Sequence, residues 1–150
     1  MTEPARSPEV RKQDALKRLD EDVDAWVSTS SADGTPYLMP LSFLWDGKTL
    51  LFSTAASNPT SLNLQSNPTA HVALDHTRDV VLLTATAETL HAEDLPPGVA
   101  DAFALKSGFD PRDASALYLY FRLTPTILQS WREANELTGR TLMKSNTWLI

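Results

Sequence analysis

Residues 31–54 read SADGTPYLMPLSFLWDGKTLLFST. Ala32-Asp33-Gly34 and Asp46-Gly47 are hairpin signals, because glycine accepts the positive φ that a tight turn or its bulge demands. Between them Tyr37, Met39, Leu41, Phe43 and Trp45 occupy one face, and Leu38, Pro40, Ser42 and Leu44 the other. That pattern predicts a long strand, largely buried on both sides and ending at Trp45. Thr49 to Thr54 reads as the next strand. Upstream, Val23, Ala25 and Val27 alternate with other residues up to Ser30, a period of two rather than 3.6. Three strands in a meander follow from these turns.

The rest of the chain builds outward from that meander. Ser7-Pro8 has the form of an N-cap with proline at the first helical position, and Ala15, Leu16, Leu19 and Val23 recur among charges, predicting a helix over 8–21. Asn58-Pro59 opens a short helix over 59–66, closed by Asn67-Pro68. Strands are predicted over 69–75 and 80–91, with the polar turn Thr77-Arg78-Asp79 between them. A helix is expected over 95–106, stopped by Gly108. Ala116 to Leu123 reads as a sixth strand and Ile127 to Trp131 as a seventh, separated by a break at Thr124-Pro125. Residues 134–150 carry no assignment. The expected fold is a mainly β, antiparallel barrel with flanking helices, one domain over 1–150, without repeats or linkers.

Bulk properties exclude several function classes. At 150 residues, roughly 68–70% of the unfolded surface can be buried, enough for one sizeable core. The net charge of −6 and sequence pI of about 4.9 repel phosphate backbones and anionic membranes, so neither nucleic acid nor membrane is an expected partner. No cysteine is present, which removes disulfides, thiolate nucleophiles and Cys-based zinc sites and fits a cytoplasmic setting. Met1 to Arg6 offers no apolar stretch for a secretory signal. The longest apolar runs, such as Val80-Val81-Leu82-Leu83, fall far short of the ~18 residues that span a bilayer.

His71, His76 and His91 lack ligand spacing, so no metal site is expected. No serine lies in a Gly-x-Ser-x-Gly elbow. The five glycines sit at turns and form no phosphate loop. What remains is Ser53 to Asn63, where hydroxyl and amide side chains crowd a strand end and a helix start. Helix N-terminal N–H groups carry partial positive charge, and Ser53, Thr54, Asn58, Thr60 and Asn63 add neutral donors that suit a phosphate. The same residues also read as ordinary turns and caps. Arg78 stands either with this site or in solvent. The four tryptophans, with Tyr37, Tyr118 and Tyr120, suit a stacked ring as well as a core or an interface. Pro40 interrupts a strand, as at an edge or where backbone meets something other than a neighbouring strand.

The order of elements resembles the pyridoxamine 5'-phosphate oxidase-like, FMN-binding split-barrel family over nearly the whole chain. The resemblance is carried by Ser31-Ala32-Asp33-Gly34-Thr35-Pro36 leading into Met39-Pro40-Leu41-Ser42-Phe43, by Trp45-Asp46-Gly47, and by Asn63-Leu64 with Asn67-Pro68. It implies a split β-barrel and a homodimer that holds a flavin at the subunit interface. Carried onto this chain, the ring lies near Met39, Pro40 and Leu41. The phosphate lies near Ser53, Thr54, Asn58, Thr60 and Asn63, and Trp131 reaches the ring from the partner subunit. Two departures qualify the match. Many relatives place a lysine or arginine pair where this chain has Asn58-Pro59-Thr60, so anchoring falls to neutral donors unless Arg78 compensates; charge-assisted bonds are roughly twice as strong. Authentic pyridoxamine phosphate oxidases end in an Arg-Leu-containing segment before a proline, whereas this chain ends Trp148-Leu149-Ile150, and that vitamin reaction is not assigned.

The resemblance implies a flavin- or deazaflavin-dependent oxidoreductase in which the cofactor carries hydride transfer and no side chain is strictly catalytic. FMN is the leading cofactor and the deazaflavin coenzyme F-420 the alternative. The competing readings are a non-catalytic flavin-binding dimer, acting as carrier or sensor, and a ligand-free structural dimer.

Overall fold

Ser7 accepts from the Val10 amide at 3.2 Å and starts helix α1 (Pro8–Glu21), as its cap spacing predicts. The computed structural model describes residues 3–150. Arg11, Ala15 and Leu19 recur every four residues and form the buried stripe of α1. The predicted meander follows as β1 (Asp24–Ser30), β2 (Pro36–Trp45) and β3 (Leu50–Ala55). Its turns hold Gly34 at φ 87° and Gly47 at φ 95°. The Asp46 carboxylate secures the second turn by accepting from the amides of Lys48 and Thr49 at 2.8 and 2.6 Å.

Helix α2 (Pro59–Ser66) leads into β4 (Thr69–Leu74) and β5 (Val80–Leu90). Helix α3 (Val99–Ser107) follows, then β6 (Tyr118–Trp131), β7 (Thr141–Lys144) and β8 (Thr147–Trp148). The sheet runs β3-β2-β1-β4-β5-β6, and β6 returns to β3, which closes a six-stranded antiparallel barrel; β7 and β8 extend from β6. Phe43, Phe52, Phe121, Val27, Leu83 and Leu128 fill the interior, with Leu19 of α1 at one end. Each such side chain contributes ~1.5–3 kcal/mol of burial. A second cluster of Leu51, Leu90, Leu95, Phe103 and Tyr120 lies outside the barrel wall beneath α3. Among the described residues no helix is long and apolar enough to cross a membrane.

Four expectations change. First, β2 is not buried on both sides: Phe43 is its one fully buried residue, and Leu38 is 58% exposed. The register explains this, because β3 pairs only with Phe43, Leu44 and Trp45 and leaves 36–42 as a free edge. Second, the sixth and seventh strands are the single strand β6. Pro125 sits beside a register shift that leaves Thr126 unpaired with β5. On its other side β6 pairs with β3 as far as Leu123 and with β7 from Leu128, so Pro125 has no strand neighbour there to disappoint. Third, α3 begins at Val99 rather than Leu95, because Pro96 and Pro97 precede Gly98, which takes φ 85° at the N-cap. Fourth, the unassigned tail forms the β7–β8 hairpin, and it buries Leu142 and Met143.

Candidate functional site

The free edge of β2 builds the site. Phe43 donates its amide to the Val23 carbonyl at 2.9 Å. In an antiparallel ladder alternate residues bond to the same neighbour, so the odd-numbered residues of β2 face β1 and the even ones face away. Pro40, opposite Trp26, therefore forfeits no bond to β1; its missing N–H lies on the open edge.

A cleft of about 390 Å³ runs along this edge. Met39, Pro40, Leu41 and Ser42 form one wall, and Ser53, Thr54 and Asn58 form a second at the β3–α2 junction. Phe103 and Ser107 of α3, Phe109 and Tyr118 close it, with the Phe109 and Tyr118 rings 5.4 Å apart between centroids. Its volume lies within the ~300–1,000 Å³ of small-molecule sites. Among the described residues, Asp24 is the only formally charged one on its walls, and it accepts from the Ser42 hydroxyl at 2.6 Å.

The junction is rich in hydrogen-bonding groups. Asn58 turns its amide to Thr54 Oγ1 at 2.9 Å instead of capping α2, so the first turn of that helix lacks a side-chain cap. Ser53 donates to the Leu119 carbonyl at 2.9 Å. Within the first turn of α2, the buried Thr60 hydroxyl has no partner, an arrangement that costs ~1–3 kcal/mol where nothing satisfies it. An uncapped helix start, an orphaned hydroxyl and neutral donors fit an anionic group of a cofactor; the absence of a cation on the walls makes the anchoring neutral.

The structure thus gathers Met39, Pro40, Leu41, Ser53, Thr54 and Asn58 around one cleft. Thr60 is buried at the start of α2, and Asn63 turns inward, its amide donating to Thr29 Oγ1 at 3.1 Å. Arg78 and Trp131 stand elsewhere on the same chain. Arg78 is exposed and lies 3.9 Å from Glu133, in a polar cleft shared with Arg6 and Arg132. Trp131 is half-buried opposite Val80 at the start of β5, with the Arg140 guanidinium 5.7 Å from its ring centre. Sequence reasoning missed Asp24, Ser42, Phe103, Ser107 and Phe109, and named Tyr118 only as one of several rings suited to stacking. The five missed residues come from three separate segments, and the helix stop at Gly108, after which Phe109 meets the Tyr118 ring, was the one signal for any of them.

Similar proteins agree with the fold. A sequence profile described as pyridoxamine 5'-phosphate oxidase matches residues 13–126. No curated protein sequence matches the chain significantly. Among solved structures, a putative pyridoxamine 5'-phosphate oxidase from Listeria innocua is 16% identical, covering 83% of this chain and 99% of its own, with a TM-score of 0.66. An F420 reductase is 18% identical over 75% of this chain and 93% of its own, with a TM-score of 0.59. The heme storage protein HutZ from Vibrio cholerae is 12% identical over 80% of this chain and 91% of its own, also with a TM-score of 0.59. At these identities the neighbours share an architecture and nothing finer, whereas the profile spans most of the barrel. The chain belongs to the pyridoxamine 5'-phosphate oxidase family.

Proposed function

We propose that this protein is a cytoplasmic, homodimeric oxidoreductase that holds FMN, or alternatively the deazaflavin F420, in the cleft along the free edge of β2. The observation that carries this reading is the convergence of an open strand edge at Pro40, aromatic walls at Phe109 and Tyr118, and the uncapped start of α2 on one cleft. A bound flavin or deazaflavin supplies hydride chemistry. The chain's own residues do the rest: Met39, Pro40 and Leu41 offer an apolar wall to the ring, and edge backbone groups are free to hydrogen-bond its polar rim. Ser53, Thr54 and Asn58 line the phosphate end without formal charge, with Thr60 buried behind them in the first turn of α2 and Asn63 turned away toward Thr29.

Dimerisation follows from the outer face of the barrel. Pro40, Trp26, Ala73 and Leu82 fall in one cross-strand row, and Leu38 lies in the next. Trp26 is 41% exposed and Leu38 58%. Such an apolar face suits a second copy of the chain. In the dimer, Trp131 and Arg78 would reach the partner's cleft and supply the cation that each chain's own cleft lacks.

A second reading is a flavin-binding dimer without turnover, a carrier or sensor. The neutral phosphate end favours it, because weak anchoring suits exchange of the ligand. Absorbance and tryptophan-emission titrations with FMN and with the deazaflavin test both readings. Saturable binding of one, with reduction by a nicotinamide donor and reoxidation by an acceptor, supports the enzyme; binding without turnover supports the carrier. Binding of neither at micromolar concentration overturns both.

A further inference from the structure

A second cleft, of about 450 Å³, lies between the end of β5 and the segment that leads into β6. It shares only Tyr118 with the cleft at β2. Its floor is Tyr120, which is 1% exposed and whose hydroxyl has no partner in the chain. Pro111 and Arg112 of the 110–113 turn line the same cleft as Tyr120, and burial pushes the phenol's pKa up, so it stays a proton donor. Pro111, Leu117 and the Tyr118 ring supply apolar walls.

The charges of this wall select the ligand. Arg112 donates through Nε and Nη2 to Asp110 at 2.9 and 2.8 Å, and through Nη2 to Asp101 at 2.7 Å. One guanidinium is thus shared between two carboxylates, and Glu93 adds a further negative charge to the cleft. On the lining itself Arg112 faces Glu93, with His91 beside them, and because the guanidinium is already engaged by two carboxylates behind the wall, an added carboxylate or phosphate gains little there. A neutral acceptor needs no cation and satisfies the buried phenol. We propose that this cleft is a second binding site, independent of the cleft at β2, for a flat, neutral molecule bearing a carbonyl oxygen that accepts from Tyr120.

The matched probes are naphthamide and naphthoate, titrated into the full-length, ¹⁵N-labelled protein and followed by amide chemical shifts. The expected result is saturable shifts over residues 114–120 with naphthamide, and at least tenfold weaker binding of naphthoate. Tyr120→Phe should weaken naphthamide by about threefold to tenfold, the loss of one neutral hydrogen bond, without lowering the unfolding midpoint of the free protein. Leu117 is 63% exposed at the rim, so Leu117→Lys should block binding in a chain that still folds. The proposal is overturned if naphthamide shifts only residues 39–42 and 53–58, if naphthoate binds equally well, or if Tyr120→Phe binds undiminished. It is also overturned if Tyr120→Phe is itself destabilised and naphthamide does not bind, because the phenol is then satisfied by water.

Discussion

Asn146 bridges the seam of the barrel to Pro125: its side-chain amide donates to the Pro125 carbonyl at 2.7 Å, and its backbone amide donates to Thr126 at 3.0 Å. At this point β6 has left β3 and has not yet joined β7. The turn between β7 and β8 thereby supplies the hydrogen bonds that no strand can. Asn146 holds φ 62°, a conformation that asparagine tolerates better than most residues.

Asn146→Ala should therefore lose a hydrogen bond and strain the turn together, costing about 2 kcal/mol. Asn146→Gly keeps the conformation and loses only the side-chain bond, for about 1 kcal/mol. Urea unfolding of the two variants separates the terms, and equal losses would refute the strain component.

Glu136 is 2% exposed and receives Arg6 in a fork, Nη2 to Oε1 at 2.7 Å and Nε to Oε2 at 3.0 Å. The Arg132 amide adds a bond at 2.8 Å. Removing the Glu136 carboxylate leaves Arg6 with Asp14 as its remaining carboxylate partner at 3.0 Å, so Glu136→Gln should cost about 2 kcal/mol. Chemical denaturation at neutral pH checks it.

The same contacts, led by the Arg6 hydrogen bond, lower the Glu136 pKa from 4.5 to about 2. A depressed carboxylate pKa means that the unfolded chain binds the proton more readily than the folded one. Its stabilisation is complete above about pH 4.5 and is lost as pH falls toward about 2. The unfolding midpoint should drop across that window in the parent protein, and the drop should be smaller in Glu136→Gln.

At the β2 cleft, Asp24 opposes an anionic cofactor. Asp24→Asn should tighten FMN about threefold while leaving riboflavin nearly unchanged. Thr54→Val should weaken FMN about fivefold, by the loss of one donor. Fluorescence titration with both ligands reads the two effects, and equal gains for FMN and riboflavin would sink the assignment of the phosphate end.

Trp26→Glu with Leu38→Glu places charge on the exposed outer face and should convert a dimer to a monomer at micromolar concentration. Sedimentation velocity decides, and an unchanged dimer would move the interface to another face.

The elements were legible where local chemistry acts alone. Ser7-Pro8 and Asn58-Pro59 mark the starts of α1 and α2, and Gly34 and Gly47 mark the turns of the meander, because caps and positive φ are properties of one or two residues. Pro125 misled for the same reason. Proline reads locally as a break, yet β6 runs through it because its neighbours change there. The tail stayed unread because Thr141–Lys144 is too short to show a period, and its pairing to β6 is non-local.

By itself the sequence determined the alternation, the caps and the turns, and hence an antiparallel barrel of this family; for its ligand it offered Met39, Pro40, Leu41, Ser53, Thr54, Asn58, Thr60, Asn63, Arg78 and Trp131 as candidates. Only the tertiary structure decided that 36–42 is a free edge, that Phe103, Phe109 and Tyr118 wall the cleft beside it, and that Arg78 and Trp131 lie away from it within one chain. The physical reason is range: dihedral preferences and side-chain period are written residue by residue, whereas which strand lacks a neighbour depends on how the whole sheet closes.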